Sequence, residues 1–250
     1  MKDDATIALE HYFSDATGNT VYFHGSDSGA LFVRDMLTNG MLHPGDAPDL
    51  VITHDNVALI IEHFEFDSYR VTHKGSCSRT EQARIDRKFN EQPIGSVYID
   101  RIKGASSYDD YLANATRSFT IHYKHISMYK KNLKEDGIIK DTTIVKTMFL
   151  IEDVSPIGTM VFSEESDTGI APVVLAQSPE FLELLAQSPN VDYVLCCSSA
   201  GQHEYIWLID RNEIDCYREN SCDYKKMRFI FSNPNVVCGS IMLPNKQSVT

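Results

Sequence analysis

The sequence predicts a mixed α/β fold, arranged as a single domain over residues 1–250. Short apolar runs typical of strands alternate with longer segments in which apolar residues recur every three or four positions. The hydrophobic fraction of 42%, which includes 12 Phe and 12 Tyr, is sufficient for a large core. No run of about 18 apolar residues occurs, so we expect no contact with a membrane.

The first third of the chain is predicted to form a strand, a helix and a hairpin. Asp27 is the expected N-cap of the helix, and Asn39-Gly40 is its expected end. The hairpin consists of two apolar runs joined by a polar turn. In chain order, the strand, the helix and the two hairpin strands are expected at about 20–23, 28–37, 49–53 and 57–66.

The clearest element of the sequence is a long helix, predicted from about 107 to 134. Gly137 follows it as a stop signal. The preceding segment, 68–104, is predicted to be irregular apart from a short helix near 80–89. Seven residues of the long helix recur at alternating three- and four-residue steps and form one face. They are Leu112, Ala115, Phe119, His122, Ile126, Tyr129 and Leu133.

The C-terminal part is predicted to add further strands and one helix to a core at about 28–151. Ser178 is the expected N-cap of that helix, with Pro179 at its first position. Residues 152–250 are therefore expected to form a C-terminal α/β elaboration, to which no function is assigned. The strands are expected at about 144–151, 159–162, 172–176, 193–197 and 205–209.

Positive charge is concentrated in two windows of an acidic chain. The net charge is −12, yet residues 70–103 carry eight Lys or Arg against four acids, and residues 111–134 carry five and no acid. Such a region is a candidate phosphate-facing surface. The default alternative is that these Lys and Arg residues lie on the solvated side of two helices. The acidic remainder of the surface could instead recruit a protein partner. The candidate nucleic-acid contacts are Arg84, Lys124, Lys130 and Lys131.

Cysteine usage indicates a reducing compartment. The chain has six cysteines and no Cys-x-x-Cys pair, and Cys196-Cys197 lies in an apolar run where thiols behave as small hydrophobes. The N-terminal residues are polar and lack the apolar segment of a signal peptide. A cytoplasmic location is therefore predicted.

The second hairpin strand combines a buried character with acidic residues. It reads Val-Ala-Leu-Ile-Ile and then carries Glu62, Glu65 and Asp67. Carboxylates beside a buried strand are costly unless they are paired, hydrated or bound to a metal. These acids therefore mark either a solvated strand end or a site.

Pro48-Asp49 on one strand and Glu62 on the next, with a helix expected to pack on the sheet, resemble the PD-(D/E)XK nuclease superfamily over about 28–151. The resemblance implies a restriction-endonuclease-like central sheet flanked by helices. It also implies hydrolysis of phosphodiester bonds in nucleic acid, with DNA as the expected partner and Mg²⁺ or Mn²⁺ as the cofactor. Asp49 and Glu62 would be catalytic metal ligands, and His63 is a further candidate ligand.

The chain departs from the superfamily pattern at the lysine, because Phe64 occupies that position. The lysine could have moved to Lys74 or to Lys124. Alternatively the site is degenerate, and the chain is a catalytically inactive, protein-binding subunit. Glu65 is a further catalytic candidate, but strand alternation directs it away from Glu62 unless a bulge intervenes.

The long helix offers one more catalytic candidate, His122. One branch of the superfamily carries Gln-x-x-x-Tyr on this helix, and His125 and Tyr129 have that spacing with His in place of Gln. His122 lies on the apolar face of the same helix. The alternative for both His122 and Tyr129 is a packing role in the core.

Overall fold

The computed structural model describes residues 4–13, 20–68, 71–72, 75–92, 98–101, 107–155, 160–162, 170–200, 203–224, 228–230 and 235–238. Within these ranges it contains helices packed against a large mixed sheet, so the predicted mixed α/β class is confirmed. The described α-helices are α1 (Asp4–Phe13), α2 (Asp27–Asn39), α3 (Cys77–Asn90), α4 (Tyr108–Tyr123), α5 (Ile126–Glu135), α6 (Pro179–Ala186) and α7 (Ile214–Glu219).

The described strands are numbered in chain order. The first seven are β1 (Thr20–Gly25), β2 (Met41–Pro44), β3 (Leu50–His54), β4 (Val57–Phe66), β5 (Val71–Thr72), β6 (Gly75–Ser76) and β7 (Tyr98–Arg101). The others are β8 (Ile144–Asp153), β9 (Met160–Phe162), β10 (Ile170–Pro172), β11 (Tyr193–Ala200), β12 (His203–Asp210), β13 (Arg228–Ile230) and β14 (Asn235–Cys238).

The central sheet has seven strands in the order β1-β12-β11-β8-β4-β3-β2. Its middle strands β4, β8 and β11 run parallel to one another, and β3 joins β4 as an antiparallel hairpin. Strands β11 and β12, which come from the C-terminal part of the chain, lie between β8 and β1. The predicted core and its C-terminal elaboration therefore share one sheet.

Strand β4 is buried on both faces, which explains its apolar sequence. Its odd-numbered residues, such as Leu59 and Ile61, pack with α1 and α2. Its even-numbered residues pack on the other side, where Phe64 contacts the cluster under α4 and Ile60 contacts the cluster under α5. The alternation predicted for this strand is confirmed, and it places Glu62 on the side of α4 and α5.

The segment that was predicted to form one long helix forms two, α4 and α5, so the prediction was wrong in this respect. The backbone leaves the α-helical pattern at Lys124 and His125, where the His125 N–H donates to the His122 carbonyl at 3.0 Å, only three residues back. A second helix then runs to Glu135. Gly137 follows with φ of 72°, a left-handed conformation that favours glycine, so the predicted stop is confirmed.

The capping predictions had mixed success. Helix α2 is capped by Ser26, whose hydroxyl accepts from the Gly29 N–H at 3.1 Å. Asp27 is therefore the first helical residue, and its assignment as the cap was wrong by one position. Helix α6 is capped by Ser178 with Pro179 in its first turn, as predicted.

Other elements differ from the sequence expectations. The predicted strand at 172–176 is a short strand ending at Pro172, followed by a 3₁₀ turn at Leu175–Gln177. Helix α3 begins earlier than expected, at Cys77. Helix α1 was not predicted. None of the described helices has both the length and the apolar character that crossing a membrane requires.

Candidate functional site

Asp49 and Glu62 lie close to each other at one end of the β3–β4 hairpin. Asp49 directly precedes β3, whose first residue Leu50 pairs with Ile61, the neighbour of Glu62. The charge of Glu62 acts on the Asp49 carboxylate. The Asp49 carboxylate also accepts the backbone N–H of His63 at 2.7 Å. The hairpin thus brings together the two carboxylates that were predicted as metal ligands.

Glu62 interrupts an otherwise apolar row of side chains. The even-numbered neighbours of Glu62 on β4 are buried, and Glu62 itself is 5% exposed. Burying a carboxylate in such surroundings is costly unless hydrogen bonds or a cation compensate it. The neighbours in this row are Ala58, Ile60, Phe64 and Phe66.

One oxygen of Glu62 is well satisfied. Oε1 accepts the hydroxyl of Tyr129 at 2.9 Å and lies 2.6 Å from Nδ1 of His122. Tyr129 comes from α5 and His122 from the last turn of α4, so the interrupted helix supplies both donors. These contacts fix the orientation of the carboxylate.

The other oxygen of Glu62 is buried, and it has no hydrogen-bond partner among the described residues. A buried acceptor without a partner carries the full cost of its desolvation. A cation bound between Glu62 and Asp49 would compensate that cost. This oxygen is therefore the structural feature that points most directly to a ligand.

The pKa values show that these groups share one electrostatic environment. Burial raises the pKa of Asp49, the His63 N–H bond opposes that rise, and the charge of Glu62 raises it further. The imidazoles of His63 and His122 act in the lowering direction. Burial also raises the pKa of Tyr129, as do its hydrogen bond to Glu62 and the charges of Glu62 and Asp49.

The position where the superfamily pattern has lysine is occupied by a packed aromatic side chain. The Phe64 ring stacks on the His122 ring with centroids 4.5 Å apart and planes 9° apart. The Phe64 and Phe149 rings are packed edge to face, with centroids 5.6 Å apart. Of the two candidates for a relocated lysine, Lys74 lies outside the described residues, and Lys124 is exposed between α4 and α5. No described lysine is hydrogen-bonded to Glu62.

The side chains of His63 and Glu65 point to the opposite face of the sheet. His63 Nε2 lies 2.8 Å from Glu152, which also accepts the hydroxyl of Tyr12. In the parallel pairing of β4 with β8, the backbone of Glu65 lies beside that of Glu152. This pairing is continuous from Val57 to Phe66, so β4 contains no bulge there. The imidazole of His63 and the carboxylate of Glu65 therefore do not join Glu62.

The His63–Glu152 pair is electrostatically strong. Burial alone would lower the pKa of His63, but the hydrogen bond and charge of Glu152 raise it above its usual value. Burial alone would raise the pKa of Glu152, but the hydrogen bonds from His63 and Tyr12 lower it. Both shifts favour the charged forms, so this pair anchors the strand that carries Glu62.

The oxygen donors around Asp49 fit a hard divalent cation in chemical type. No group of three or more His, Cys, Asp or Glu side chains able to hold a metal occurs in the described part of the chain. Carboxylate oxygens are ligands that Mg²⁺ and Mn²⁺ accept.

Several of the lysines in the predicted basic region lie close to acidic side chains, which offset their charge. Lys131 lies 3.6 Å from Glu135, and Lys134 lies 2.9 Å from Asp141. Burial lowers the pKa of Lys130, which is half-buried near Asp192. Arg84 is half-buried in α3, and Lys124 is exposed. Of these candidates, Lys124 is the best placed for contact with a phosphate.

Tyr129 and Glu152 make contacts in the structure that were not predicted from the sequence. Tyr129 was considered as a packing residue, yet its hydroxyl bonds to Glu62. The ring of His125, the expected partner in the Gln-x-x-x-Tyr spacing, lies edge to face with the Tyr129 ring, with centroids 6.1 Å apart. Glu152 was missed entirely, although its position at the end of an apolar run resembles that of Glu62.

Comparisons with known proteins place the chain in no family. No protein-family model, no curated protein and no solved structure matches it. Its function must therefore be inferred from the chemistry of the site.

Proposed function

We propose that the chain is a nuclease that hydrolyses phosphodiester bonds in nucleic acid with the help of Mg²⁺ or Mn²⁺. The observation that carries this proposal is the pair of neighbouring carboxylates, Asp49 and Glu62, because one oxygen of Glu62 is buried with no hydrogen-bond partner among the described residues. The resemblance of Pro48-Asp49 and Glu62 to the PD-(D/E)XK pattern agrees with it.

The residues of the chain have distinct parts in this proposal. Asp49 and Glu62 would hold the cation. When bound, such a cation polarises a phosphate and lowers the pKa of a water molecule. Tyr129 and His122 keep Glu62 in one orientation, since both bond to its other oxygen. Asp49 is only half-buried, so the site opens to solvent.

Nucleic acid is the proposed substrate, with DNA as the first choice. Lys124 lies two residues after His122 and is exposed, so it could supply positive charge to a phosphate. A phosphate backbone would be attracted to this side despite the net charge of −12. A cytoplasmic location, with a reducing environment for the free thiols of Cys196 and Cys197, accords with this proposal.

The test compares wild type, Asp49→Asn and Asp46→Asn. Cleavage of labelled DNA and RNA by each protein is measured in Mg²⁺ and in Mn²⁺. Asp49→Asn should abolish cleavage, because it removes one charged ligand while keeping the size of the side chain. Asp46→Asn is the matched control, since Asp46 is an exposed carboxylate three residues earlier. Equal cleavage by wild type and Asp49→Asn, or no cleavage by wild type under any condition, would reject the proposal.

A second candidate function is a catalytically inactive, protein-binding subunit. The observation that favours it is the stacking of Phe64 on His122, which fills the position expected for a catalytic lysine. This alternative predicts that wild type neither binds divalent cations nor cleaves any substrate. Isothermal titration with MgCl₂ and MnCl₂ separates it from the nuclease proposal.

A further inference from the structure

A cavity of about 300 Å³ opens near the carboxyl ends of strands β8 and β11, beside the last turn of α1. Ligands of open α/β sheets bind outside the carboxyl ends of parallel strands, and a cavity of this volume accommodates a small molecule. Its described lining contains three carboxylates and neither lysine nor arginine. The three acids are Glu152, Asp153 and Glu204.

The cavity stays negatively charged when its acids are ionised. The partners of Glu152 and Glu204 are two histidines, His63 and His11, each with a nitrogen 2.8 Å from the carboxylate. If both histidines are protonated, three carboxylates minus two imidazolium ions leave one negative charge. If both are neutral, the three negative charges are uncompensated. A cleft lined by one sign of charge concentrates ligands of the opposite sign, so the expected ligand is a cation.

Asp153 is the acid that the protein satisfies least. The backbone N–H of Ser155 at 2.9 Å and its hydroxyl at 2.5 Å both donate to the same oxygen, Oδ1. No hydrogen bond from a described residue reaches Oδ2. Burial, together with the charge of the buried Asp67, raises the pKa of Asp153 to about 6 against the effect of the Ser155 bonds. A cation in the cavity would compensate the ionised carboxylate.

The lining suits a cation whose charge is spread along a chain better than it suits a metal ion. The described part of the chain holds no three His, Cys, Asp or Glu side chains that could bind one metal ion, so these acids do not converge on a point. Val154, Cys197 and the ring of Tyr12 add apolar surface to the same cavity. Methylene groups are stabilised on such surface, while ammonium groups donate strong hydrogen bonds to carboxylates.

We propose that this cavity binds a small aliphatic polyamine, a methylene chain that carries two or more ammonium groups. The ammonium groups donate to the three acids, with Asp153 as the principal acceptor, and the methylene groups contact Val154 and Tyr12. Asp49 and Glu62 do not line the cavity. The inference therefore goes beyond the proposed nuclease function and does not depend on it.

The decisive variant is Asp153→Asn, tested by isothermal titration of the full chain with spermidine. It keeps the oxygen that accepts from Ser155 and removes the charge. The buffer is held well above the pKa of Asp153, so that all three acids of the wild type are ionised. We expect the affinity to fall by about 10- to 150-fold, the effect of losing one hydrogen bond to a charged group. Unchanged affinity in this variant, or no binding by wild type, would overturn the inference.

Two controls exclude other sources of attraction. Asp46→Asn removes an exposed carboxylate, so it measures attraction to net negative charge alone. Asp49→Asn removes a carboxylate of the candidate metal site, where a polyamine could replace a divalent cation. Both variants should bind spermidine like wild type. A loss in either one as large as that in Asp153→Asn would place the polyamine elsewhere and refute the inference.

Two further measurements test the cavity and the form of the ligand. Ser198→Leu fills part of the cavity without changing its charge, and its affinity for spermidine should fall, with its melting temperature as the check on folding. n-Butylamine, which has a single ammonium group, should bind to wild type about tenfold or more weakly than spermidine. Unchanged affinity in a folded Ser198→Leu, or equal affinity of wild type for the two amines, would contradict the proposed site.

Discussion

The hydroxyl of Tyr129 in α5 donates to Oε1 of Glu62 in β4 at 2.9 Å, and it does so in the interior, where Tyr129 is 2% exposed. The bond joins a helix to the central sheet across 67 residues of sequence. It holds the carboxylate whose second oxygen is buried with no hydrogen-bond partner among the described residues.

Tyr129→Phe should destabilise the protein by about 1.5–3 kcal/mol, because it removes a buried hydrogen bond to a charged group. Urea unfolding at neutral pH measures this change. The control is Tyr123→Phe, since the Tyr123 hydroxyl has only a 3.5 Å contact with Asn190. Its expected cost is within about 0.5 kcal/mol. Equal stability of Tyr129→Phe and wild type would contradict the assigned bond.

Divalent cations should stabilise the wild-type protein against heat and leave Asp49→Asn unaffected. A ligand that binds only the folded state adds about 2.7 kcal/mol when its concentration is 100 times its Kd. Differential scanning fluorimetry over a series of MgCl₂ and MnCl₂ concentrations measures the effect. Asp46→Asn should respond as wild type does. A melting temperature that does not depend on either cation would count against the metal site.

Glu152→Gln should lower the pKa of His63. Burial of His63 remains in this variant, while the hydrogen bond and charge that raise its pKa in the wild type are lost. NMR titration of the imidazole measures the shift. Glu204→Gln removes the neighbouring carboxylate, which pairs with His11, and should leave the His63 pKa unchanged.

Glu152→Gln should also reveal how much the His63–Glu152 pair contributes to stability at different pH values. The raised pKa of His63 gives stability that is complete below 6.5 and is lost as pH rises through the folded-state value. The lowered pKa of Glu152 gives stability that is present above 4.5 and is lost as pH falls through its folded-state value. The free energy of unfolding of wild type should therefore exceed that of Glu152→Gln most between pH 4.5 and pH 6.5. The expected difference is about 1.5–3 kcal/mol. A difference that is constant from pH 4 to pH 9 would refute the charged pair.

Lys124→Ala should weaken binding of duplex DNA and reduce its dependence on salt. Each phosphate contact contributes about −0.9 to the slope of log affinity against log salt concentration. Fluorescence anisotropy at two salt concentrations measures both quantities. Lys134→Ala is the control, because Lys134 is already paired with Asp141 and should affect binding less. If log affinity falls with log salt concentration at the same slope in Lys124→Ala and in wild type, Lys124 does not contact the phosphates of the DNA.

Local patterns in the sequence were sufficient for much of the fold. The 57–66 run predicted β4 and the alternation that separates Glu62 from His63, because successive side chains in any strand point to opposite faces. Ser178 and Pro179 predicted the start of α6, since capping depends on neighbouring backbone atoms. These features are determined by interactions between residues close in the chain.

The interruption at Lys124–His125 could not be predicted in the same way. The apolar face continues across it from Phe119 to Tyr129, so the periodicity alone favours one helix. In the fold, α4 covers the cluster around Phe64, and α5 covers a separate cluster around Ile60. Packing on two clusters outweighs the small cost of leaving the helical pattern.

Residues close in the chain specify the α/β class, the hairpin and the two carboxylates near its end, because periodicity and turn chemistry are local. The bonds of His122 and Tyr129 to Glu62, and the position of β11 and β12 between β8 and β1, depend on the folding of distant segments against one another. Contacts of both kinds join residues far apart in the chain, by 60 and 67 positions for the two bonds to Glu62. They are selected by the burial of whole surfaces and by the need to satisfy buried polar atoms, which no short segment encodes alone.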